Sequence, residues 1–356
     1  MKNFFKKKFK IGTKLISEKS KIFVIAEISA NHNNNFNKIR KLIKSAKKSG
    51  ADFVKIQTYT PETLTLKSKK KDFQIKKDNA WSKSKFLWNL YQKSQTPLNL
   101  TKKIFEYCKK INVEVFSTPF DEETVDYLET LNSPIYKIAS PEINHIPLIE
   151  RVAKTGKPII LSLGLATPKD IQLALKTIKN CNNRKVILLQ CVASYPAPID
   201  EQNIKSINII KKKYGVLSGL SDHSVGYIAP VVAAVSGANI IEKHFNLTNN
   251  KSVDSFFSTN EKEFKVMVDS IRLAENSLGS GKIQISTSSK KNLNSKRSIY
   301  VSKKIKIGQK ITNQNVKVIR PGLGLHPKFY KFILGKKSNV NLNIGDGFKL
   351  KYVLSK

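Results

Sequence analysis

Residues 158–190 read PIILSLGLATPKDIQLALKTIKNCNNRKVILLQ. The apolar runs at 158–163 and 186–190 each have the length of a buried strand, and between them 168–179 repeats its apolar residues at helical spacing. Strand, helix and strand in that order make a parallel crossover unit. The pattern continues in both directions. Strands are predicted at IFVIAEI (22–28), FVKIQ (53–57), VEVF (113–116), IYKIA (135–139), YGVLSGL (214–220) and NIIEK (239–243), with further helical faces at 36–49, 121–131 and 261–276. Gly50 follows the first of these helices, where a C-terminal stop belongs. Eight strands make this an α/β chain and fit a closed (β/α)8 TIM barrel, typically about 250 residues long. The competing arrangement is an open doubly wound sheet, and no G-x-G-x-x-G follows the first strand to favour it.

Residues 1–20 read as an N-terminal extension, 21–278 as the barrel domain and 279–295 as a polar linker, GSGKIQISTSSKKNLNS. Residues 296–356 alternate short apolar runs with turns and read as a small β-rich domain near the lower limit of independent stability. The lysine-rich stretch 60–95, with Trp81 and Trp88, is too long for an ordinary loop and is expected to be an insertion at the active site.

The formal charge is +38, yet only six of the 64 basic residues are arginine, and the lysines are scattered over nearly every helical surface. Phosphate readers favour the guanidinium fork, so no nucleic-acid partner is expected; lysine drift explains the excess, which also attracts anionic substrates. Three cysteines, Cys108, Cys181 and Cys191, form no C-x-x-C pair and read as reduced, mostly buried fillers. No apolar run reaches membrane-spanning length, and the start MKNFFKKKFKIG lacks a continuous apolar core. A soluble cytoplasmic protein with no membrane partner is the expectation.

In such a barrel the active site lies at the carboxyl ends of the strands. Polar residues follow each run: Glu27, Asn31 and His32; Lys55 and Gln57; Thr118; Lys137, Ser140 and Glu142; Ser162; Ser194 and Tyr195; Ser221, Asp222 and His223; Glu242 and His244. His223 and His244 end consecutive strands, about 4.8 Å apart, so both imidazoles could reach one divalent ion, or each could bond locally. Two nitrogens without a thiolate suit Mn2+ better than structural zinc, with Mg2+ or Co2+ as alternatives. His32 either orients a substrate or caps a turn, and His145 and His326 read as solvated or packed. A buried lysine needs an anion. Lys55 and Lys137 therefore meet carboxylates, with Glu27 and Glu142 as candidates, or bind an anionic substrate, or one of them forms a Schiff base. The surrounding hydroxyls favour phosphate and carboxylate binding over imine chemistry.

The motifs AEISANHNN (26–34), GADFVKIQTYTPETLT (50–65), FSTPFD (116–121), YKIASPE (136–142), CVASYPAP (191–198), GLSDHSVG (219–226), IEKHF (241–245) and DSFFS (254–258) together resemble the nonulosonic acid synthases, the sialic acid synthase family. These enzymes join phosphoenolpyruvate to an acetamido hexose. The tail with VIRPGLGLHP resembles the SAF (antifreeze-like) domain that follows their barrel. SANHN, KIQTYTPETLT, LYQKSQTP and RPGLGLHP look most like the pseudaminic acid synthases, with the sialic (N-acetylneuraminate) and legionaminic acid synthases as alternatives.

The resemblance implies that His223 and His244 ligate the metal, which polarises the aldehyde of the open-chain sugar. It places Lys55, Lys137, Thr118, Ser140, Ser162 and Ser221 around the phosphate and carboxylate of phosphoenolpyruvate, with Gln57 and Glu142 beside them. It turns Glu27 and Asp254 toward the sugar and metal water, sets Tyr195 at the mouth, and has Arg320 reach the other subunit's barrel in a domain-swapped homodimer. The implied reaction is an aldol-type condensation that ends in C–O cleavage and phosphate release, with Glu27 relaying the water proton. Three departures from the family pattern are Leu163-Gly164-Leu165 for Thr-Gly-Met, Pro141 for an aromatic residue, and Val253 for proline. Readings of a different class are a basic nucleic-acid binder and a barrel degenerated to an interaction role; the intact Lys55, Lys137, His223 and His244 argue against the latter.

Overall fold

Alternation along the barrel strands sorts the side chains into two apolar layers. Phe23, Ile25, Phe53, Phe116, Ile160, Ile187, Leu189, Leu217 and Ile240 point inward and pack as one buried cluster. Their neighbours in sequence, such as Val24, Ala26, Val54, Ile138 and Ile241, join the larger cluster under the surrounding helices. Strands buried on both faces explain why the runs read as continuously apolar.

The computed structural model describes residues 3–354. A hairpin of β1 (Lys8–Ile11) and β2 (Lys14–Ser17) comes first. The barrel strands are β3 (Phe23–Glu27), β4 (Phe53–Thr58), β5 (Val115–Pro119), β6 (Tyr136–Ile138), β7 (Ile159–Ser162), β8 (Val186–Cys191), β9 (Leu217–Asp222) and β10 (Ile240–His244). All neighbours are parallel, and β10 closes on β3. All eight predicted strands and all four predicted helices are present.

Some boundaries move for local reasons. Tyr214 ends the helix Ser206–Tyr214 and Gly215 stops it in the left-handed conformation, φ 69°, so the next strand starts at Leu217. On β9 a Cβ at Gly219 would lie 2.0 Å from the carbonyl oxygen of Ile240, so the close approach of β10 requires glycine there. Of the extension 1–20, the described residues 3–20 are part of the barrel's packing: Phe9, Ile11 and Ile16 of the hairpin are buried in the interior cluster with the first residues of the strands. Plugging that end leaves the carboxyl ends as the open mouth.

The chain divides after Gly279 into two compact units. The segment 280–295, read as linker, clusters with the second unit and contains a short helix, Thr287–Lys290. That unit pairs β11 (Ser298–Val301) with β12 (Val316–Ile319), antiparallel, over a small core that includes Ile299, Ile311, Ile333 and Phe348. Among the described residues no helix is long and apolar enough to cross a membrane.

Candidate active site

The strand register sets the polar residues side by side at the mouth. Glu27 pairs with Lys55 across β3 and β4, Gln57 with Thr118 across β4 and β5, Glu242 with Ser221 across β9 and β10, and His244 with Glu27 across β10 and β3. The centre of the group is Glu242. Its Oε1 accepts from Lys137 Nζ at 3.2 Å and from Ser221 Oγ at 3.3 Å, and lies 3.5 Å from Lys55 Nζ. Lys55 also contacts the Glu27 carboxylate and donates to Thr118 Oγ1 at 3.3 Å. Glu27, Lys55, Thr118, Lys137, Ser221 and Glu242 are all buried.

Two carboxylates thus face two ammonium groups away from water. Burial opposes the Glu242 carboxylate, but Lys137 and Lys55 outweigh it and hold its pKa down at about 2. Burial also opposes the Lys55 ammonium, and Glu242 and Glu27 more than compensate, so its pKa is raised. For Lys137 burial prevails and the pKa is lowered. Burial raises the Glu27 carboxyl, which Lys55 only partly offsets, so Glu242 is the firmly ionised member. The sequence had offered Glu142 as a lysine partner; Lys137 meets Glu242 instead, reaching across the barrel interior from β6 to the opposite strand β10. Glu142 Oε2 is buried without a hydrogen bond, and burial pushes its pKa up to about 7.

Ser162 Oγ, Glu242 Oε2 and His244 Nδ1 are likewise buried without partners. Such orphans are rare, and a concentration of them at one mouth marks a place where a ligand completes the hydrogen bonding. Ser140 Oγ accepts from Leu165 N at 2.7 Å, which leaves its own proton free to donate.

The rings of His223 and His244 lie 5.5 Å apart, a span two imidazoles sharing one ion at roughly 2 Å from each nitrogen can bridge. His223 Nδ1 donates to the carbonyl of Val192 at 2.8 Å, which fixes the tautomer and leaves the Nε2 lone pair available. Burial lowers the His223 pKa to about 4, and burial with the neighbouring cations lowers that of His244 well below the ordinary imidazole value, so both rings are neutral, as ligation requires. Among the described residues no group of three or more His, Cys, Asp or Glu side chains forms a cage. The pair therefore fits an exchangeable ion with open positions and not a closed structural zinc. Asp254 Oδ2 accepts from Ala30 N at 2.9 Å and stands 3.8 Å from His244 Nδ1; burial raises its pKa to about 7.

A cavity of about 310 Å³ opens beside these groups, with Gln57, Glu142, Tyr195, His244 and Asp254 among its lining residues. Tyr195 packs its ring 4.4 Å from that of His223 and 5.1 Å from that of Trp81. The predicted insertion is there: Leu64, Ile75, Trp81, Leu87, Leu90 and Tyr91 all line the cavity, and Trp81 Nε1 donates to Val253 O at 3.2 Å. Trp88 is not among them.

Several other residues named from sequence serve the local structure. Asp222 points away from the mouth and pairs with buried Lys243, and its other oxygen accepts from Ser224 N at 2.9 Å, fixing the turn that carries His223. His32 is a structural residue: Nδ1 accepts from Asn34 N and Nε2 meets Thr96 Oγ1 at 3.0 Å. His145 and His326 cap helical turns. Arg320 lies exposed just after β12 in the second unit. Glu242 is the functional-site residue that the sequence reading left unassigned, although its i, i+2 spacing from His244 puts both on one strand face.

The family model described as NeuB family matches residues 42–283, and the SAF domain model matches residues 296–351. A pseudaminic acid synthase of Campylobacter jejuni subsp. jejuni serotype O:23/36 is 44% identical over 330 residues, 92% of this chain and 96% of that protein. An N,N'-diacetyllegionaminic acid synthase of Campylobacter jejuni subsp. jejuni serotype O:2 is 37% identical over 90% of this chain and 97% of its own length. The crystal structure of an N-acetylneuraminic acid synthetase from Leptospira borgpetersenii, in complex with citrate, superposes with a TM-score of 0.71 at 29% identity, covering 82% of this chain and 96% of that one.

Proposed function

The chain belongs to the NeuB family, and from that premise we propose that it is an enzyme catalysing the pseudaminic acid synthase reaction. In this reading phosphoenolpyruvate, 2,4-diacetamido-2,4,6-trideoxy-altrose and water give a nine-carbon nonulosonic acid and phosphate. The observation that carries it is the convergence of Lys55 and Lys137 with the neutral pair His223 and His244 in one barrel mouth, among buried polar atoms that lack partners.

The lysines bind the phosphate and carboxylate of phosphoenolpyruvate, helped by the hydroxyls of Thr118, Ser140, Ser162 and Ser221, with Glu142 and Gln57 beside them. Held until then by Glu27 and Glu242, the ammonium groups need little reorganisation when substrate arrives. His223 and His244 would hold a divalent ion, with Mn2+ preferred over Mg2+ or Co2+. When bound, that ion supplies Lewis acidity at the sugar aldehyde. C3 of the enol phosphate attacks the aldehyde carbon, and water captures the cationic C2. Glu27 takes the water proton, and the resulting hemiketal phosphate expels inorganic phosphate by C–O cleavage. Asp254 faces the sugar beside His244, and Tyr195 closes the wall behind His223. Arg320 acts on the barrel of a second copy in a domain-swapped homodimer, so Arg320→Ala should lower activity without unfolding the barrel. A cytoplasmic location, where phosphoenolpyruvate is made, completes the reading.

The test is phosphate release from phosphoenolpyruvate, expected only with sugar and divalent ion present and abolished by EDTA. Product mass spectrometry with the altro sugar, its manno epimer and N-acetylmannosamine distinguishes the pseudaminic, legionaminic and N-acetylneuraminate syntheses. Product from N-acetylmannosamine alone would overturn the assignment. A gel-shift series at rising salt, run in parallel, should show no specific nucleic-acid complex.

A further inference from the structure

Four aliphatic side chains of the 60–95 segment, Leu64, Ile75, Leu87 and Leu90, are half-buried, and none belongs to the hydrophobic core of the barrel. All four face the cavity that His244, Glu142 and Asp254 line from the strand ends. The polar groups around them are largely committed within the protein. Trp81 Nε1 donates to Val253 O, the Tyr59 hydroxyl donates to Ser94 Oγ at 2.8 Å, and Ser94 Oγ donates to Leu90 O at 2.8 Å. Asn79 Oδ1 accepts from Trp81 N at 2.9 Å. What remains to meet a ligand on this side is the Asn79 amide nitrogen and the Tyr91 hydroxyl, donors suited to an acetamido carbonyl.

A hexose whose aldehyde lies at the histidine end extends its far carbons toward this wall, and the cavity is at the small end of ligand pockets, with room for one such chain. A hydroxyl brought against the four aliphatic side chains themselves loses its water and gains no partner from them; a methyl group there gains contact. We propose that Leu64, Ile75, Leu87 and Leu90 make the 60–95 segment the specificity element of the enzyme, selecting sugars that carry a methyl group at C6 over those that carry a hydroxymethyl group. The inference rests on the proposed function and adds the residues that read the sugar's far end.

The experiment compares kcat/KM for 2,4-diacetamido-2,4,6-trideoxy-altrose and for its 6-hydroxy counterpart by phosphate release. The unsubstituted enzyme should prefer the 6-deoxy sugar by about 10- to 100-fold, the range one hydroxyl commands in an apolar pocket. Leu90→Gln, and separately Ile75→Thr, should cut that ratio to a few-fold, mainly through the sugar KM, while the KM for phosphoenolpyruvate stays unchanged. Leu66→Gln, at a residue of the same segment that is 66% exposed and outside the cavity, should leave the ratio intact. An unsubstituted enzyme with no preference overturns the proposal, as do two variants that bind phosphoenolpyruvate normally and keep the full ratio. Turnover of neither altro sugar alongside turnover of N-acetylmannosamine overturns the functional reading instead.

Discussion

Glu142→Gln should make the protein more stable and the enzyme inactive. The carboxyl of Glu142 is buried with Oε2 unpartnered, and its pKa is raised from 4.5 to about 7. The difference of about 2.5 units, at ~1.4 kcal/mol per unit, amounts to roughly 3 kcal/mol. The sign follows from linkage: a group with a raised folded pKa binds its proton more tightly in the native state. Its contribution is therefore intact below about pH 4.5 and lost as pH rises through about 7. A neutral glutamine does not ionise and escapes the loss. Near pH 8 the variant should be more stable than the parent by about 3 kcal/mol, a melting-point gain on the order of 4 °C for a protein of this size, and near pH 4.5 the two should coincide. Differential scanning calorimetry at both pH values measures the gap, and phosphate release measures the expected loss of 10²-fold or more in kcat. A gap of equal size at both pH values, or a parent more stable at pH 8, would refute the reasoning.

Glu242→Gln leaves Lys55 and Lys137 buried with Glu27 as their remaining neutralising carboxylate, so urea unfolding at pH 7 should show a loss of about 3–5 kcal/mol, partly restored by added phosphoenolpyruvate. His223→Ala and His244→Ala should each abolish the stabilisation that Mn2+ gives the parent in a thermal melt while leaving the metal-free melting point within a few degrees. Gly219→Ala drives a methyl group into the Ile240 carbonyl and should lower expression of soluble protein or the melting point by more than any surface Gly→Ala change, as circular dichroism would record.

Much of this architecture was legible because each element announces itself locally. Val, Ile and Leu runs of strand length alternate with helical periodicity, and the strand ends then locate the mouth without any distance being known. Long-range pairing was not legible. Nothing local says that Lys137 meets a carboxylate 105 residues away on β10 and not Glu142 five residues on, because the choice depends on barrel closure. Period two, followed strictly from Ser221, would have turned Asp222 outward and His223 inward. The alternation in KFKI, followed by Gly12 at φ 54°, is likewise that of an amphipathic hairpin, yet its role as a plug appears only once the barrel it fills exists.

The charge of the chain and the charge of its site answer to different physics. Surface lysines are screened within about 8 Å at physiological ionic strength, so an excess of +38 draws anions broadly and distinguishes none of them. Inside the mouth the balance is even: two ammonium groups against Glu27 and Glu242, all withdrawn from water. In the proposed reading an incoming phosphate and carboxylate compete with built-in carboxylates for the same two cations. Only a ligand that also satisfies the orphaned Ser162 hydroxyl and the rest of the mouth gains enough to displace them. The internal counter-ions thus make the site selective as well as stable, since a lone inorganic anion recovers too few of these contacts. The aliphatic wall acts on the second substrate in the same sense, rejecting by what it leaves unpaired.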